Sequence, residues 1–200
     1  TKTTFVASIN ISLLSAEPEK RGVLCFDVNE QGLIAIGQTG SQDKEICVYT
    51  SQGEFLYGYT FNCTQSFCVE WDEQHVNIYF IRSDVIISLD SDGNILDIKA
   101  VQDTIDNNSY RNSLLYSTTR AVGNTTYQIR NDMGIFNWIA TSYSQIVTID
   151  ATGAESIIYD VNSMQLAKMI TVIVIVGIFV GTAIGIIVRG LPKYRKKTDR

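Results

Sequence analysis

The sequence predicts an all-β domain of antiparallel, four-stranded units, followed by one transmembrane α-helix. Short runs rich in Val, Ile, Tyr and Phe recur at intervals of roughly ten residues, with Gly, Asn and Asp between them. Groups of these runs repeat with a period of about 40 to 45 residues. Near the carboxyl terminus, residues 169–188 form a stretch without a single charge. These three observations define the predicted fold class.

About twelve short strands are predicted, each combining β-branched or aromatic residues with flanking turn residues. They are Val23–Val28, Leu33–Gly37, Ile46–Thr50, Glu54–Phe61, Ser66–Trp71, Val76–Ile81, Val85–Asp90, Asn94–Val101, Ser113–Arg120, Thr125–Arg130, Gln145–Asp150 and Glu155–Val161. No long amphipathic helix is expected before the apolar stretch, because the 3.6-residue period of apolar positions is missing there.

Three of the predicted hairpins align without gaps, over residues 46–59, 86–99 and 146–159. Each segment starts with Ile and carries Gly seven residues later. Because glycine adopts the positive φ that a tight turn requires, we expect equivalent hairpin turns at these glycines. They are Gly53, Gly93 and Gly153.

A second internal correspondence aligns residues 24–37 with residues 67–80. In this alignment Asp27 matches Glu70, Cys25 matches Cys68, and a Glu-Gln pair at residues 30–31 matches another at 73–74. Four strands in about 40 to 45 residues are typical of a propeller blade. We therefore predict a β-propeller-like domain over residues 22–161, with about three blades and one insertion. The blades span residues 22–61, 66–101 and 112–161, and the insertion spans 132–144.

In these hairpins a hydrophobic strand leads into an Asp-x-x-Gly turn, as at Asp90–Gly93 and Asp150–Gly153. The pattern resembles the NHL- and YWTD-type β-propeller repeats, and the layout looks like bacterial single-pass surface proteins with propeller-like repeats and no assigned function. The resemblance implies a blade-like fold over about 140 residues. Closed propellers have roughly four to eight blades. The amino-terminal strand and linker span residues 1–21. Completion of the propeller therefore requires residues 1–16 to cap one face, or another copy or subunit to supply the rest.

Residues 169–188 are long enough to cross the hydrocarbon core of a bilayer as a helix. The tail that follows, residues 189–200, carries a net charge of +5, whereas residues 1–168 carry −10. The positive-inside rule then predicts a cytoplasmic tail at the plasma membrane, a short juxtamembrane segment at residues 162–168, and an exported β domain. A removed signal peptide or an upstream transmembrane helix is expected to provide export. The basic tail is expected to contact lipid head groups, not nucleic acid.

A stripe of small residues lies within the predicted transmembrane helix. Gly177, Gly181 and Gly185 are spaced by four residues, so that they share one helix face. Small residues at this spacing allow two helices to approach closely in lipid, and we expect a homodimer through this face. The alternative is that these glycines reflect the ordinary composition of membrane helices.

The sequence contains no motif for nucleotide, hydrolase-elbow or zinc-protease chemistry, and no catalytic residue, cofactor or metal is predicted. The four cysteines, Cys25, Cys47, Cys63 and Cys68, fit either disulfides in an oxidising compartment or free buried thiols. Five aromatic residues are candidates for a ligand surface, with core packing as the alternative. They are Tyr57, Tyr59, Phe136, Trp138 and Tyr143.

Two classes of function fit these observations. The first is a membrane-anchored interaction or sensing module that binds an extracellular protein or glycan through a propeller-like face. The second is an extracellular enzyme that depends on carboxylates converging in a central channel. The single His and the absence of a nucleophile motif favour the first class. Convergent buried carboxylates with raised pKa values would favour the second.

Overall fold

The computed structural model describes residues 8–198, and the side chains of residues 8–188. The chain divides after Asn162 into a β-rich unit and a helical unit. Within the described residues, the β-rich unit contains thirteen strands in three antiparallel sheets. The strands are β1 (Ile11–Leu13), β2 (Val23–Val28), β3 (Ile34–Thr39), β4 (Lys44–Tyr49), β5 (Phe55–Phe61), β6 (Phe67–Asp72), β7 (His75–Phe80), β8 (Val85–Leu89), β9 (Ile95–Ala100), β10 (Thr119–Val122), β11 (Thr125–Arg130), β12 (Gln145–Ile149) and β13 (Glu155–Asp160).

Each sheet contains four consecutive strands in which every strand pairs with the next one along the chain. Sheet 1 contains β2 to β5, sheet 2 contains β6 to β9, and sheet 3 contains β10 to β13. The prediction of an antiparallel, mostly β domain is confirmed. Sheet 1 has a fifth strand at its edge, because β1 pairs with β5 through Leu13 and Tyr59. The amino-terminal segment therefore extends a sheet edge at residues 11–13, and the part before residue 8 lies outside the described residues.

Four hairpin turns share one backbone geometry and one pattern of side-chain hydrogen bonds. In each, a glycine with φ near 80° donates its N–H to the carbonyl three residues earlier. The residue bearing that carbonyl also accepts two backbone N–H bonds at its side-chain oxygen, which closes the turn. Three of these glycines are Gly53, Gly93 and Gly153, with φ of 82°, 81° and 85°. The fourth, Gly32 at 79°, lies outside the gap-free alignment of the sequence.

Sheet 1 packs between the other two sheets. Towards sheet 2, the ring of Phe61 lies 5.1 Å from that of Phe67 and 5.6 Å from that of Phe80, both edge-to-face. Towards sheet 3, the rings of Tyr49 and Tyr159 are 5.7 Å apart. Because strand side chains alternate between faces, sheet 1 contributes one set of apolar side chains to each neighbour. The described sheets do not close into a ring.

A helix, α1 (Ile105–Tyr116), connects sheet 2 to sheet 3. It corrects the expectation that a strand begins at Ser113. Thr104 caps the helix, because its hydroxyl accepts the N–H of Asn107 at 3.2 Å. Leu114 and Leu115 then pack against the core as adjacent helical residues, rather than alternating along a strand. Strand β10 begins only at Thr119.

The insertion predicted at residues 132–144 lies between β11 and β12 and contains a short 3-10 helix, Gly134–Ile139. This loop is the longest connection within sheet 3. Asn137 stabilises it from inside: its side chain accepts the N–H of Met133 at 2.8 Å and donates to the carbonyl of Asn131 at 3.2 Å.

The helical unit consists of helix α2 (Asn162–Thr198), which begins at the last residue of the β-rich unit. Its first 27 residues, Asn162–Val188, reach a mean hydropathy of 2.8 in their most apolar window, and none of that window is buried. In the part of the chain that the structure describes, this is the one helix long and apolar enough to cross a membrane. The three glycines at 177, 181 and 185 lie along it with open space beside each.

Candidate ligand-binding cleft

The first strands of the three sheets meet at the carboxylate of Asp27. Asp27 is in β2, and its Oδ2 accepts the backbone N–H of Trp71, in β6, at 2.7 Å. Its Oδ1 accepts Nε of Arg120, in β10, at 2.6 Å. The two side chains of this ion pair are only 12% and 16% exposed. One buried carboxylate therefore joins one group from each of the other two sheets.

The guanidinium of Arg120 is held on several sides. Its Nη1 donates to the carbonyl of Thr119 at 2.9 Å, and its Cζ lies 5.4 Å from the centre of the Phe26 ring. A guanidinium over an aromatic ring gains a cation–π attraction that increases as water is excluded. Nη2 is buried and has no hydrogen-bond partner among the described residues. Arg120 is thus fixed in place by Asp27 and Phe26.

A second carboxyl group, that of Glu70, lies next to this ion pair. The hydroxyl of Tyr110, in α1, donates to its Oε1. Burial raises the pKa of Glu70, and the neighbouring charges of Asp27 and Asp72 raise it further, while the Tyr110 hydrogen bond and the charge of Arg120 lower it. Burial and the bond to the carboxylate also raise the pKa of Tyr110, so the phenol keeps its proton.

A cleft of about 510 Å³ opens beside Asp27, between the turn that joins β2 to β3 and the turn that joins β6 to β7. We call it the Glu-Gln cleft, because each turn contributes one glutamate and one glutamine. Its lining consists of Asp27, Val28, Asn29, Glu30, Gln31, Trp71, Glu73 and Gln74.

Both turns of the Glu-Gln cleft have well-defined backbones. Asn29 fixes the first turn, because its Oδ1 accepts the N–H groups of Gln31 and Leu33 at 3.1 and 2.8 Å. In the second turn, Glu73 has φ of 56°, which a residue with a side chain rarely adopts. The cleft therefore presents carboxylates and amides from a preformed backbone, together with the indole of Trp71. Such groups donate and accept hydrogen bonds with hydroxyl and amide groups of a ligand.

A second cleft, of about 400 Å³, lies on the other side of the first Glu-Gln turn, where hairpins of sheets 1 and 3 face each other. Glu30 and Gln31 line both clefts. The remaining lining of the second cleft is Gly32, Ser51, Gln52, Val122, Thr125, Tyr127, Thr148, Asp150, Ala154 and Ser156. The turn at residues 30–31 is thus accessible from two sides.

The aromatic residues predicted as a ligand surface lie on different elements. Tyr59 is completely buried, with its hydroxyl donating to the carbonyl of Asp90 at 2.6 Å, so it belongs to the core and the surface prediction is wrong for it. Tyr57 packs edge-to-face on Tyr59 and is half-buried. In the loop of sheet 3, Trp138 is 84% exposed, while Phe136 and Tyr143 are half-buried.

All four cysteines are free thiols, which decides between the two alternatives left by the sequence. Cys25, Cys47 and Cys68 are buried. Desolvation raises the pKa of the Cys47 and Cys68 thiols to about 12, so they remain protonated and unreactive near neutral pH. The described residues contain no cluster of His, Cys, Asp or Glu suited to a metal ion.

The residues of this site had no predicted role, although Asp27 and Glu70 were matched in the internal alignment. The available signal was a carboxylate in the middle of an apolar strand, as in the runs VLCFDV and FCVEWD. A charge within such a strand requires a partner or a polar face. Arg120 and Tyr110 gave no comparable signal, because both lie in polar stretches.

The chain matches no protein-family model and no curated protein.

Proposed function

We propose that the chain is a membrane-anchored, extracytoplasmic recognition module that binds a protein or glycan through the Glu-Gln cleft. The observation that carries the proposal is that two Glu-Gln turns, aligned with each other in the sequence, line one cleft from two different sheets. Carboxylates and amides accept and donate hydrogen bonds at fixed positions, and Trp71 adds a flat apolar surface. This combination suits a ligand rich in hydroxyl or amide groups.

The proposed architecture is an open β-propeller of the NHL or YWTD type, with each four-stranded sheet as a blade. The first strands β2, β6 and β10 converge at Asp27, as inner strands do at the centre of a propeller. In such a propeller the Glu-Gln cleft lies at one end of the central axis. The β2–β3 and β6–β7 turns, which join the first and second strands of their blades, are located at that end.

Helix α2 provides the proposed anchor. Its apolar part is followed by a tail with a net charge of +5, which favours a cytoplasmic tail and an exported β-rich unit. We also propose that Gly177, Gly181 and Gly185 pair two copies in the membrane. A dimer would place two Glu-Gln clefts on one membrane surface and raise the apparent affinity for a ligand with repeated epitopes.

A binding screen tests the proposed function. The full chain, reconstituted in lipid nanodiscs, is applied to arrays of glycans and of extracellular proteins. We expect binding that the double variant Gln31→Ala with Gln74→Ala loses, because both exposed amides line the cleft. The matched control is Gln102→Ala, an exposed glutamine outside the cleft. Absence of binding by the wild type, or equal binding by the double variant, would contradict the proposal.

An extracellular enzyme is the second candidate, and the raised pKa of Glu70 favours it. A general acid needs such a shift to be protonated near neutral pH. Against it, both oxygens of the adjacent Asp27 are already engaged by Arg120 and Trp71, so this carboxylate is not free to act as the second catalytic group. If the wild type converts an array ligand into a product and Glu70→Gln does not, the chain is an enzyme. Binding without turnover would establish the recognition module.

A further inference from the structure

The loop between β11 and β12 exposes two large apolar side chains at its tip. In the 3-10 helix, Ile135 is 79% exposed and Trp138 is 84% exposed. The eleven residues 133–143 contain no charged residue. Single exposed apolar residues are common on protein surfaces, but an isoleucine and a tryptophan exposed together in a stretch of eleven uncharged residues indicate a partner surface.

The loop holds these side chains in a defined geometry. Met133, at its start, is buried and serves as an apolar anchor. Asn137 crosses the loop with hydrogen bonds to Met133 and Asn131. At the other end, Tyr143 exchanges two backbone hydrogen bonds with Val23, of 2.8 and 2.9 Å. Ile135 and Trp138 are therefore presented by an ordered segment, with little ordering entropy left to lose on binding.

Both ends of the loop are hydrogen-bonded to Asn162, the residue at which α2 begins. The side-chain amide of Asn162 donates to the carbonyl of Asp132 at the start of the loop. Its Oδ1 accepts the hydroxyl of Ser144, at the end of the loop, at 2.9 Å. Ser144 is completely buried, and its carbonyl accepts the N–H of Val161 at 2.9 Å. The base of the loop is thus tied to the chain immediately before the apolar helix.

Chain connectivity limits how far this loop base can be from a bilayer. Met169, where the uncharged stretch begins, is seven positions after Asn162, and seven helical steps span about 10 Å. This limit holds for any orientation of the β-rich unit. The head-group region of a bilayer is several ångströms thick on each side. Tryptophan favours this region, because its ring is apolar and its N–H forms hydrogen bonds there.

We propose that Ile135 and Trp138 insert into the lipid interface and form a second membrane contact beside α2. The proposal rests on the membrane anchorage given above, but not on the Glu-Gln cleft. A second contact would restrict the tilt of the β-rich unit on its helical anchor, so that the cleft keeps one orientation towards the surroundings. The occupant is the bilayer itself, since residues 133–143 carry no charge for a specific head group and the loop is tethered next to the span.

The test uses the full chain in phosphatidylcholine vesicles with bromine atoms on the upper part of the acyl chains. Bromine quenches tryptophan fluorescence only at short range. The contribution of Trp138 is the difference in emission between the wild type and Trp138→Phe, because Trp71 is common to both. We expect most of this contribution to be lost in brominated vesicles, and we expect acrylamide in the water to quench it less in vesicles than in detergent.

A third variant separates failure of this inference from failure of the anchor. Val172→Trp, made together with Trp138→Phe, places a reporter three residues inside the uncharged stretch of α2, at the depth of the brominated upper acyl chains. If this reporter is quenched by bromine and Trp138 is not, the helix is in the bilayer and the proposal for the loop is wrong. Trp138 would then be available to a protein partner. If neither is quenched, the membrane anchorage itself is refuted, and the loop contact with it.

Discussion

Two glycines with the same backbone conformation have different surroundings, so their alanine variants separate backbone strain from sheet packing. Gly53 and Gly153 have φ of 82° and 85°. A Cβ at Gly153 would meet nothing within 4 Å. A Cβ at Gly53 would lie well inside van der Waals contact of the carbonyl oxygen of Ile158, in β13. Gly53→Ala therefore tests whether the β4–β5 turn packs against sheet 3, with Gly153→Ala as the matched control.

The expected magnitudes follow from these two surroundings. A non-glycine residue in the left-handed region costs roughly 1–2 kcal/mol. Reduced freedom of the unfolded chain offsets about 0.4–1 kcal/mol of this cost for a Gly-to-Ala change. Gly153→Ala should thus destabilise the β-rich unit by about 1 kcal/mol. In Gly53→Ala, relief of the backbone clash requires β13 to move away from sheet 1, and overpacking of this kind adds about 1–3 kcal/mol.

Urea denaturation of the full chain in detergent micelles, followed by circular dichroism in the β-sheet region, measures both losses. The expected result is a clearly larger loss of unfolding free energy for Gly53→Ala than for Gly153→Ala, with similar m-values. Equal losses in the two variants would refute the packing of sheet 3 against this turn, because strain alone would then account for both.

Three further predictions concern the buried ion pair, the raised carboxyl pKa and the membrane helix. Asp27→Ala should lower the free energy of unfolding by about 3 kcal/mol, because it leaves a buried guanidinium unpaired. The control is Glu155→Ala, in a more exposed ion pair, which should lower the free energy of unfolding by less than about 1 kcal/mol in the same urea titration. Since the folded state raises the pKa of Glu70, ionisation of this group costs stability as the pH rises through that pKa. Glu70→Gln should therefore improve stability relative to wild type more at neutral pH than at a pH of about 4, and a pH-independent difference would count against the raised pKa. Gly181→Ile should reduce the dimer fraction in bilayers, measured by energy transfer between labelled copies, whereas Ile175→Leu should leave this fraction unchanged. Equal dimer fractions in wild type and Gly181→Ile would exclude pairing through the glycine face.

The strands of the β-rich unit could be predicted from sequence because their signals are local. Alternating or continuous apolar runs and the glycine turns are properties of single segments, and the four-stranded antiparallel sheets follow from short connections between them. Helix α1 could not be predicted in this way. Residues 105–116 have few apolar side chains, and their helical form depends on the Thr104 cap and on the packing of Leu114 and Leu115. The sequence run SLLYSTTR is equally consistent with a strand.

The site required the tertiary structure because its members come from distant parts of the chain. Asp27 and Arg120 are 93 residues apart, and Glu70 and Tyr110 are 40 apart. No spacing rule relates residues that meet only when separate sheets pack together. The predicted role of Tyr59 failed for a related reason: exposure of an aromatic residue depends on which face of β5 it occupies and on what covers that face.

The proposed function depends most directly on which side of the membrane the β-rich unit occupies. Single-cysteine labelling in intact cells with a membrane-impermeant maleimide measures this, in a Cys63→Ser background in which the other native thiols are buried. We expect Ser91→Cys, in an exposed hairpin turn of sheet 2, to be labelled in intact cells, and Lys197→Cys, in the tail, to be labelled only after permeabilisation. Labelling of Lys197→Cys in intact cells, with Ser91→Cys protected until permeabilisation, would contradict the proposal of an extracytoplasmic recognition module.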